Sequence, residues 1–292
     1  MNFQQLEYIV SLARLRNFVA AAAACNVSQP TLSAMVKKLE DELNITIIKR
    51  GQQPLEFTSE GEQLLLQAKR ILVEQKLMFE ISKEISKGLA GEIRLGVIPS
   101  LALVVIPGLI QKLEDAEPQL KVTILELPTE KALSSLLNGQ IDLALLATES
   151  DPRQFESLPL FEEEIVAYVS PGEKLPKRKY IQPEHFASQK HWFLSEEHCF
   201  REQAMEICTR KTKRESKVRY EAGSAITLVQ LVDCNGGITI IPSSSVPFLS
   251  ATQRANVREF APPAPKRLIQ LVSLKEYPRK RLVEFLGELI SL

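Results

Sequence analysis

The chain has 292 residues, with 36 basic and 36 acidic side chains, and 45% of its residues are hydrophobic. This length predicts two or three domains with real cores, while a net charge of zero argues neither for nor against binding to nucleic acid. No stretch reaches the roughly 18 apolar residues of a membrane helix, and the N-terminus lacks the pattern of a signal peptide. We therefore expect a cytoplasmic protein with reduced thiols and no membrane partner.

The first 43 residues predict three helices. Apolar residues recur every three or four positions from Phe3 to Leu12, which indicates an amphipathic helix. An alanine-rich helix, Phe18 to Cys25, follows, and the turn NVS leads to a third helix that Ser28 caps and Pro30 opens. In this third helix we expect five residues to face inward: Leu32, Met35, Val36, Leu39 and Leu43.

A short helix, a tight turn and a helix that begins with small polar residues form the pattern of a helix-turn-helix. The second helix of that motif enters the major groove of DNA. By their chemistry, Gln29 could bind adenine, the Thr31 methyl could contact thymine, and Ser33 could reach a base or a phosphate. Phosphates would be bound by Lys37, Lys38, Lys49 and Arg50. An ordinary helical hairpin would show the same periodicity.

The run FVAAAAACNVSQPTLSAMVKKLEDELNITIIKR, followed by LEFTSEGEQLL, resembles the DNA-binding domain of LysR-type transcriptional regulators. It has the family's Ala-Ala pair, its Val-Ser-Gln-Pro-Thr-Leu-Ser run, its Leu-Glu pair, an Arg in the wing and a Thr that opens the next helix. Asn44 stands where the family usually has Gly. The resemblance implies a winged helix-turn-helix over residues 1–58 that binds double-stranded promoter DNA through Ser28, Gln29, Pro30, Thr31, Ser33, Ala34, Lys37, Lys38 and Arg50.

Residues 59–88 predict one long helix with apolar residues near a four-three rhythm, which ends at the glycines of KGLAG. Such a helix could pack on its own domain. The family resemblance instead implies a linker that pairs antiparallel with a partner chain, within a homodimer or homotetramer. It also implies RNA polymerase as a partner.

After Gly91 predicted strands alternate with predicted helices, as in α/β proteins with helices on the faces of their sheets. A helix from Arg279 to Leu292 closes the chain. The resemblance implies a regulatory domain, residues 89–292, like the periplasmic binding proteins. Its subdomain I would be 91–162 and 267–292 and its subdomain II 163–266, joined by two crossing strands. The predicted strands are EIRLGVI, KVTILEL, IDLALLA, EIVAYVS, HWFLS, KVRYEA, GITIIP and RLIQLVSL.

Two of the four cysteines, Cys199 and Cys208, lie nine residues apart, and Phe200 to Ile207 between them read as a helix. Nine helical residues rise about 13.5 Å and turn the two side chains to opposite sides. A disulfide needs Cα atoms about 4.4–6.8 Å apart, so this pair could bond only if the helix unwinds or moves. Oxidation would then be a conformational change. Both cysteines could also be small buried hydrophobes.

The surroundings of Cys199 favour a reactive thiol. It begins a predicted helix, where free N–H groups stabilise an anion, and His198 and Arg201 are close in sequence. Peroxide would convert its thiolate to a sulfenic acid, which Cys208 would resolve to a disulfide. Phe200, Met205 and Ile207 should bury one face of this helix. We interpret Cys25 and Cys234 as structural residues.

The run HCFREQAMEIC is similar to the redox loop of the hydrogen-peroxide-sensing LysR-type regulators. This narrower resemblance implies a peroxide-responsive regulator of oxidative-stress genes. Cys199 would be peroxidatic and Cys208 resolving, and glutaredoxin or thioredoxin would reduce their disulfide. Two supporting positions depart from the pattern, since Ser100 replaces Thr and Glu202 replaces Asp. The supporting residues implied are Ser100, Thr129, His198, Arg201, Glu202 and Arg267.

No enzyme, cofactor or metal site is predicted. The chain lacks GxGxxG, P-loop and HExxH motifs, and three histidines argue against a Ser-His-Asp hydrolase. The HC…C run has no zinc-ligand spacing. Two alternatives stay open: a metabolite-responsive LysR-type regulator with incidental cysteines, and a thiol peroxidase. A peroxidase would need fast recycling, and it would leave the helix-turn-helix unexplained.

Overall fold

The fold was analysed in a computed structural model, which describes residues 1–49, 51, 54–116, 119–173, 180–182, 190–194, 200–201, 204–205 and 224–291. The chain divides into two compact units. One consists of Met1–Gly88 and Leu137–Gln140, and the other of Leu89–Leu136 and Ile141–Leu292. Within the described ranges, no helix is long and apolar enough to cross a membrane.

The first unit begins with the three predicted helices, α1 (Phe3–Leu15), α2 (Phe18–Ala24) and α3 (Gln29–Leu43). Each has a polar N-cap side chain, from Asn2, Asn17 and Ser28, that accepts a hydrogen bond from a backbone N–H of the first turn. Because these caps satisfy donors that the helix itself leaves free, they fix where each helix starts.

Helix α3 has the predicted two faces. Leu32, Val36 and Leu39 are fully buried, and Met35 and Leu43 are partly buried against the same core. The helix ends at Asn44, whose φ of 52° lies in the left-handed region. Glycine reaches that region without strain and asparagine tolerates it better than most residues, so Asn44 can replace the family's glycine.

A two-stranded wing, β1 (Ile48–Lys49) and β2 (Glu56–Phe57), follows α3. Buried Glu40 fixes its start, because one carboxylate oxygen accepts the N–H of Ile47 at 2.7 Å and of Ile48 at 3.1 Å. The Leu-Glu pair of the sequence is therefore a wing anchor. Lys49, which the sequence predicts to hold phosphate, forms an exposed ion pair with Glu56 at 3.1 Å across the wing.

Helix α4 (Ser59–Lys87) is the predicted long helix, and Thr58 caps it through the Gly61 N–H at 2.9 Å. Gly61 is required there, because a Cβ would lie 2.2 Å from the Ile47 carbonyl oxygen. Near its start Leu65 and Ala68 pack into the core of the first unit. Farther along, the helix exposes large apolar side chains: Met78, Phe79 and Ile85.

The second unit is built on an eight-stranded mixed sheet of the order β4-β3-β5-β10-β6-β9-β7, with β8 also paired to β6. Strands β4, β3 and β5 are parallel to one another. Strands β6 and β10 run antiparallel to each other, to β5 on the side of β10, and to β8 and β9 on the side of β6. At the edge of the sheet, β7 pairs parallel with β9. The strands are β3 (Gly91–Val97), β4 (Leu120–Glu126), β5 (Leu143–Leu146), β6 (Phe155–Val169), β7 (Tyr180–Ile181), β8 (Ile238–Pro242), β9 (Val257–Phe260) and β10 (Lys266–Leu274).

Strands β6 and β10 connect the two halves of this sheet. They pair with each other along the whole of β10, while β10 also pairs with β5 on one side and β6 with β8 and β9 on the other. The register shifts between Ile269 and Gln270, opposite Pro159. A bulge suits this position, because proline cannot donate a ladder hydrogen bond. These are the two crossing strands that the family resemblance implies.

Helices cover the sheet, and a 3₁₀ helix (Ser243–Phe248) follows β8 directly. The predicted closing helix runs from Lys280 to Ile290. Its Gly287 lies against β6, where a Cβ would meet the Leu158 side chain at 2.8 Å. Four other helices of this unit have described bounds, α5 (Pro99–Ala116), α6 (Thr129–Leu137), α7 (Ala225–Asn235) and α8 (Ala251–Arg254), and the closing helix is α9.

Two strand predictions differ from the structure. EIVAYVS is only the end of β6, which begins at Phe155. In HWFLS, the described residues 191–194 form no continuous strand: His191 forms an isolated bridge to Ile238, and the Trp192 carbonyl accepts the Thr239 hydroxyl at 2.8 Å. The segment KVRYEA lies outside the described residues.

Candidate functional site

Eight of the nine predicted DNA-binding residues lie on α3 or, for Ser28, at its N-cap. Seven are exposed, and Ser33 is half-buried. Ser28 and Thr31 also touch each other, with their hydroxyl oxygens 2.7 Å apart. Arg50 lies outside the described residues. The exposed set is Ser28, Gln29, Pro30, Thr31, Ala34, Lys37 and Lys38.

A second group of predicted residues meets around Arg267 on β10. Its side chain is fully buried, with a relative exposure of 0%. The guanidinium Nη1 donates to Ser100 Oγ at 2.9 Å, and Ser100 lies in the first turn of α5. The structure therefore brings together two of the residues that the sequence resemblance assigned to one site.

The charge of Arg267 is balanced by Glu163, its register partner on β6. Nε donates to Glu163 Oε2 at 2.6 Å, and Nη2 lies 2.6 Å from the same oxygen. The other carboxylate oxygen accepts the Ser244 N–H at 3.2 Å and the Ser244 hydroxyl. A buried cation needs such a partner, because an unpaired charge is costly away from water.

The face of the guanidinium packs on an aromatic ring. The Arg267 Cζ lies 5.0 Å from the centroid of Phe200, a cation–π distance, and Phe200 is 1% exposed. Phe200 directly follows Cys199 in the chain. Arg267 is thus anchored against the residue next to the predicted peroxidatic cysteine.

The predicted helix after Cys199 is present where the structure describes it, since residues 200, 201, 204 and 205 are helical. Phe200 and Ala204 are buried, as a helix with one inward face requires. Met205 is 38% exposed, so its predicted burial is wrong: it lies next to Ala204 in sequence but outside the inward stripe. Arg201 Nη1 donates to the Leu194 carbonyl at 3.0 Å.

Thr129 opens α6, and its buried hydroxyl has no hydrogen-bond partner among the described residues. The neighbouring residues line a cavity of about 730 Å³: Leu127, Pro128, Glu130, Lys131 and Ser134. A buried, unsatisfied hydroxyl is uncommon in native structures and can serve a ligand.

Four predicted site residues, His198, Cys199, Glu202 and Cys208, lie outside the described residues. Among the residues that are described, no three His, Cys, Asp or Glu side chains cluster as metal ligands would. Cys25 is half-buried at the C-cap of α2, and Cys234 is exposed in the last turn of α7.

Sequence reasoning missed Glu163 and Ser244. A signal for Glu163 was available: in the run of three glutamates 162–164, strand alternation must turn the middle one to the opposite side. Glu163 is indeed buried between two exposed neighbours. Ser244 had no such signal, because its contact depends on how the chain returns after β8.

Comparison with known proteins agrees with this architecture. Residues 3–62 match the family described as bacterial regulatory helix-turn-helix protein, lysR family, and residues 86–291 match the LysR substrate binding domain. The chain therefore belongs to the LysR family of transcriptional regulators, and its N-terminal motif is a DNA-binding one.

Within that family, the chain is similar to OxyR, the hydrogen peroxide-inducible genes activator. It is 33% identical to the activator of Haemophilus influenzae, over 100% of this chain and 96% of the relative. It is 32% identical to the dual regulator OxyR of Escherichia coli K12, over 99% and 95%.

Solved structures give the same result. Full-length OxyR from Pseudomonas aeruginosa with a cysteine-to-aspartate substitution superposes with a TM-score of 0.79 at 30% identity, covering 100% of this chain and 98% of that one. A cysteine mutant of Corynebacterium glutamicum OxyR, described as H2O2-bound, superposes with a TM-score of 0.65 at 25% identity, over 99% and 91%.

Proposed function

We propose that this LysR-family regulator responds to hydrogen peroxide through Cys199 and Cys208 and thereby controls oxidative-stress genes. The observation that supports it best is the buried Arg267, held between Ser100 and the ring of the residue after Cys199. A fixed cation of this kind favours a thiolate and a polarised peroxide. Relatives named hydrogen peroxide-inducible genes activators add support.

The proposed chemistry has two balanced steps. The Cys199 thiolate attacks one peroxide oxygen, so that an S–O bond forms, the O–O bond breaks, and hydroxide leaves and takes up a proton. The Cys208 thiol then attacks the sulfenic sulfur, which forms the disulfide and releases water. The residues proposed to bind peroxide or hold the thiolate are Ser100, Thr129, His198, Arg201, Glu202 and Arg267. The Thr129 hydroxyl has no partner in the part of the chain that the structure describes, which suits that role.

Disulfide formation is proposed to switch the protein because it must alter the helix that contains Phe200. The change would pass through subdomains I and II to the oligomer and the DNA. A dithiol protein such as glutaredoxin or thioredoxin would reset it in the cytoplasm, and RNA polymerase would be the partner at the promoter.

Mass spectrometry after stoichiometric peroxide tests this proposal. We expect a disulfide between Cys199 and Cys208, with Cys25 and Cys234 still alkylated by a thiol reagent. A protein whose thiols all stay reduced, but whose DNA binding responds to a small metabolite, would instead be the metabolite-responsive alternative. The cavity beside Thr129 is the place where such an effector would be sought.

We propose that the exposed N-terminal residues of α3 read the operator. Replacing Gln29 with alanine should remove a base-specific contact and weaken binding by ~1–3 kcal/mol at one base pair only. Lys38→Ala, a phosphate-contact control on the same face, should weaken binding to all sequences and lower the salt slope by about one. Affinities for a library of single-base operator variants at several salt concentrations would separate the two. A uniform loss from Gln29→Ala would contradict its role.

We propose that the exposed apolar residues of α4 bind a second copy of the chain. Met78, Phe79 and Ile85 are 71%, 63% and 82% exposed, and monomeric proteins rarely expose such residues together. Ile85→Lys should therefore shift the protein towards monomer in analytical ultracentrifugation, because a charge would be buried in the dimer. Ser86→Lys, which adds the same single charge at the exposed polar residue next to it, is the control. An unchanged mass for Ile85→Lys would exclude this face.

A further inference from the structure

The ion pair between Glu163 and Arg267 joins parts of the regulatory unit that are distant in sequence. Its side chains are 3% and 0% exposed, and the two residues face each other on the crossing strands β6 and β10. Buried ion pairs of this kind contribute little net stability, since desolvation offsets most of the attraction. Stability alone is therefore a weak explanation for it.

Glu163 uses both of its oxygens. Oε2 faces Nε and Nη2 of Arg267, and Oε1 accepts the backbone N–H and the hydroxyl of Ser244. Ser244 lies in the first turn of the 3₁₀ helix, whose preceding residue Pro242 gives it no side-chain cap. Glu163 supplies that cap and so holds this helix and Arg267 in one geometry.

The consequence for Arg267 is a fixed orientation. Nε donates to Glu163, while Nη2 lies 2.6 Å from the same oxygen and makes no hydrogen bond among the described residues. Nη1 and the flat face of the guanidinium reach other residues. Nη1 points to Ser100 at 2.9 Å and the face lies on Phe200. Without the carboxylate, the long side chain of Arg267 could rotate away from both, because one hydrogen bond and one ring contact would be left to hold it among the described residues.

We propose that Glu163 is a positioning residue for the reaction of Cys199 with peroxide, acting through Arg267 and itself supported by Ser244. The inference rests on the proposed function. This role requires no contact between Glu163 and either cysteine. It sets where the guanidinium lies, and small displacements of a positioned group reduce rates strongly.

Glutamine cannot replace this carboxylate. Both Glu163 oxygens are acceptors, whereas a glutamine side chain has one acceptor oxygen and one donor nitrogen. Glu163→Gln must therefore turn its donor towards either the Ser244 N–H or the guanidinium, and one of the two contacts is lost.

The test is the second-order rate of Cys199 oxidation by peroxide, followed by quenching and mass spectrometry of the full chain. Glu163→Gln and Arg267→Gln should each slow oxidation by about tenfold or more. The double variant should be no slower than Arg267→Gln, because Glu163 has then lost the group it positions. Glu162→Gln is the matched control, since its exposed pair with Lys266 lies on the same two strands, and its rate should equal that of the unmodified protein.

Thermal unfolding of each variant separates slow reaction from misfolding. If Glu163→Gln fails to fold, Ser244→Ala provides the second variant, since Ser244 is half-buried and alanine leaves the ion pair in place. It should slow oxidation several-fold, while Ser243→Ala should not.

The outcomes distinguish the two proposals. If the unmodified protein is not oxidised at Cys199, the proposed function fails and the positioning role fails with it. If it is oxidised, and Glu163→Gln or Ser244→Ala reacts as fast as its control, only the positioning role is overturned. Additive losses in the double variant would also overturn it, because they would show that Glu163 does not act through Arg267.

Discussion

Replacing Cys199 with serine should abolish the transcriptional response to peroxide while leaving the fold and basal DNA binding intact. A serine hydroxyl is far less nucleophilic than a thiolate at neutral pH, so no sulfenic acid can form. The substitution is nearly isosteric, and the contacts of the neighbouring Phe200 with Arg267 do not involve the sulfur. A promoter reporter with and without peroxide measures the response, and thermal unfolding checks the fold.

Two further cysteine variants make this prediction specific. Cys208→Ser should have a milder effect, because a sulfenic acid can still form at Cys199 but cannot be resolved to the disulfide. Cys234→Ser should respond normally, since this exposed cysteine has only a structural interpretation. A full peroxide response in Cys199→Ser would contradict the redox mechanism, whatever the other two variants do.

The DNA-binding unit could be predicted from sequence because its signals are local. The cap at Ser28, the inward stripe of α3 and the threonine that opens α4 all act within a few residues. Helix periodicity and capping depend on just such short distances. The wing anchor was less visible, because the role of Glu40 requires the chain to return to it seven and eight residues later.

The redox site could be predicted only in part, because its members are far apart in the chain. Ser100 and Arg267 are separated by 167 positions, and the local sequence around either gives no sign of their hydrogen bond. The resemblance named both residues, but the pairing of Arg267 with Glu163 depends on the register of β6 and β10. A one-residue slip would have turned Glu163 to the other face of the sheet.

The full length of β6 could not be predicted from the sequence either. Polar residues interrupt the apolar sequence pattern in its first half, and Pro159 argues against a central strand. The strand nevertheless begins at Phe155, because a bulge opposite Pro159 removes the need for its missing N–H. Tertiary pairing with β10 overrides the local preference there.

Weakening the packing of Phe200 should make the Cys199–Cys208 disulfide easier to form. Phe200 is 1% exposed, packs in the core with Val229, and stacks on Arg267. Bridging the two cysteines must unwind or move the helix that contains Phe200, so these contacts oppose oxidation. Phe200→Leu removes the ring contact and part of the buried area, which we expect to destabilise the reduced form by about 1.5 kcal/mol. The reduction potential should then fall by about 30 mV, since 1.4 kcal/mol corresponds to that shift for two electrons.

Redox titration against a glutathione or dithiothreitol buffer measures this potential, and chemical unfolding of each redox form measures stability. Val229→Ala is the control, because Val229 lies in the same core but on α7. It should destabilise the reduced and oxidised forms alike and leave the potential unchanged. If Phe200→Leu also lowers the stability of both forms equally, with no shift in potential, then Phe200 keeps its packing in the disulfide form. In that case oxidation does not move this helix, and the proposed switch must act elsewhere.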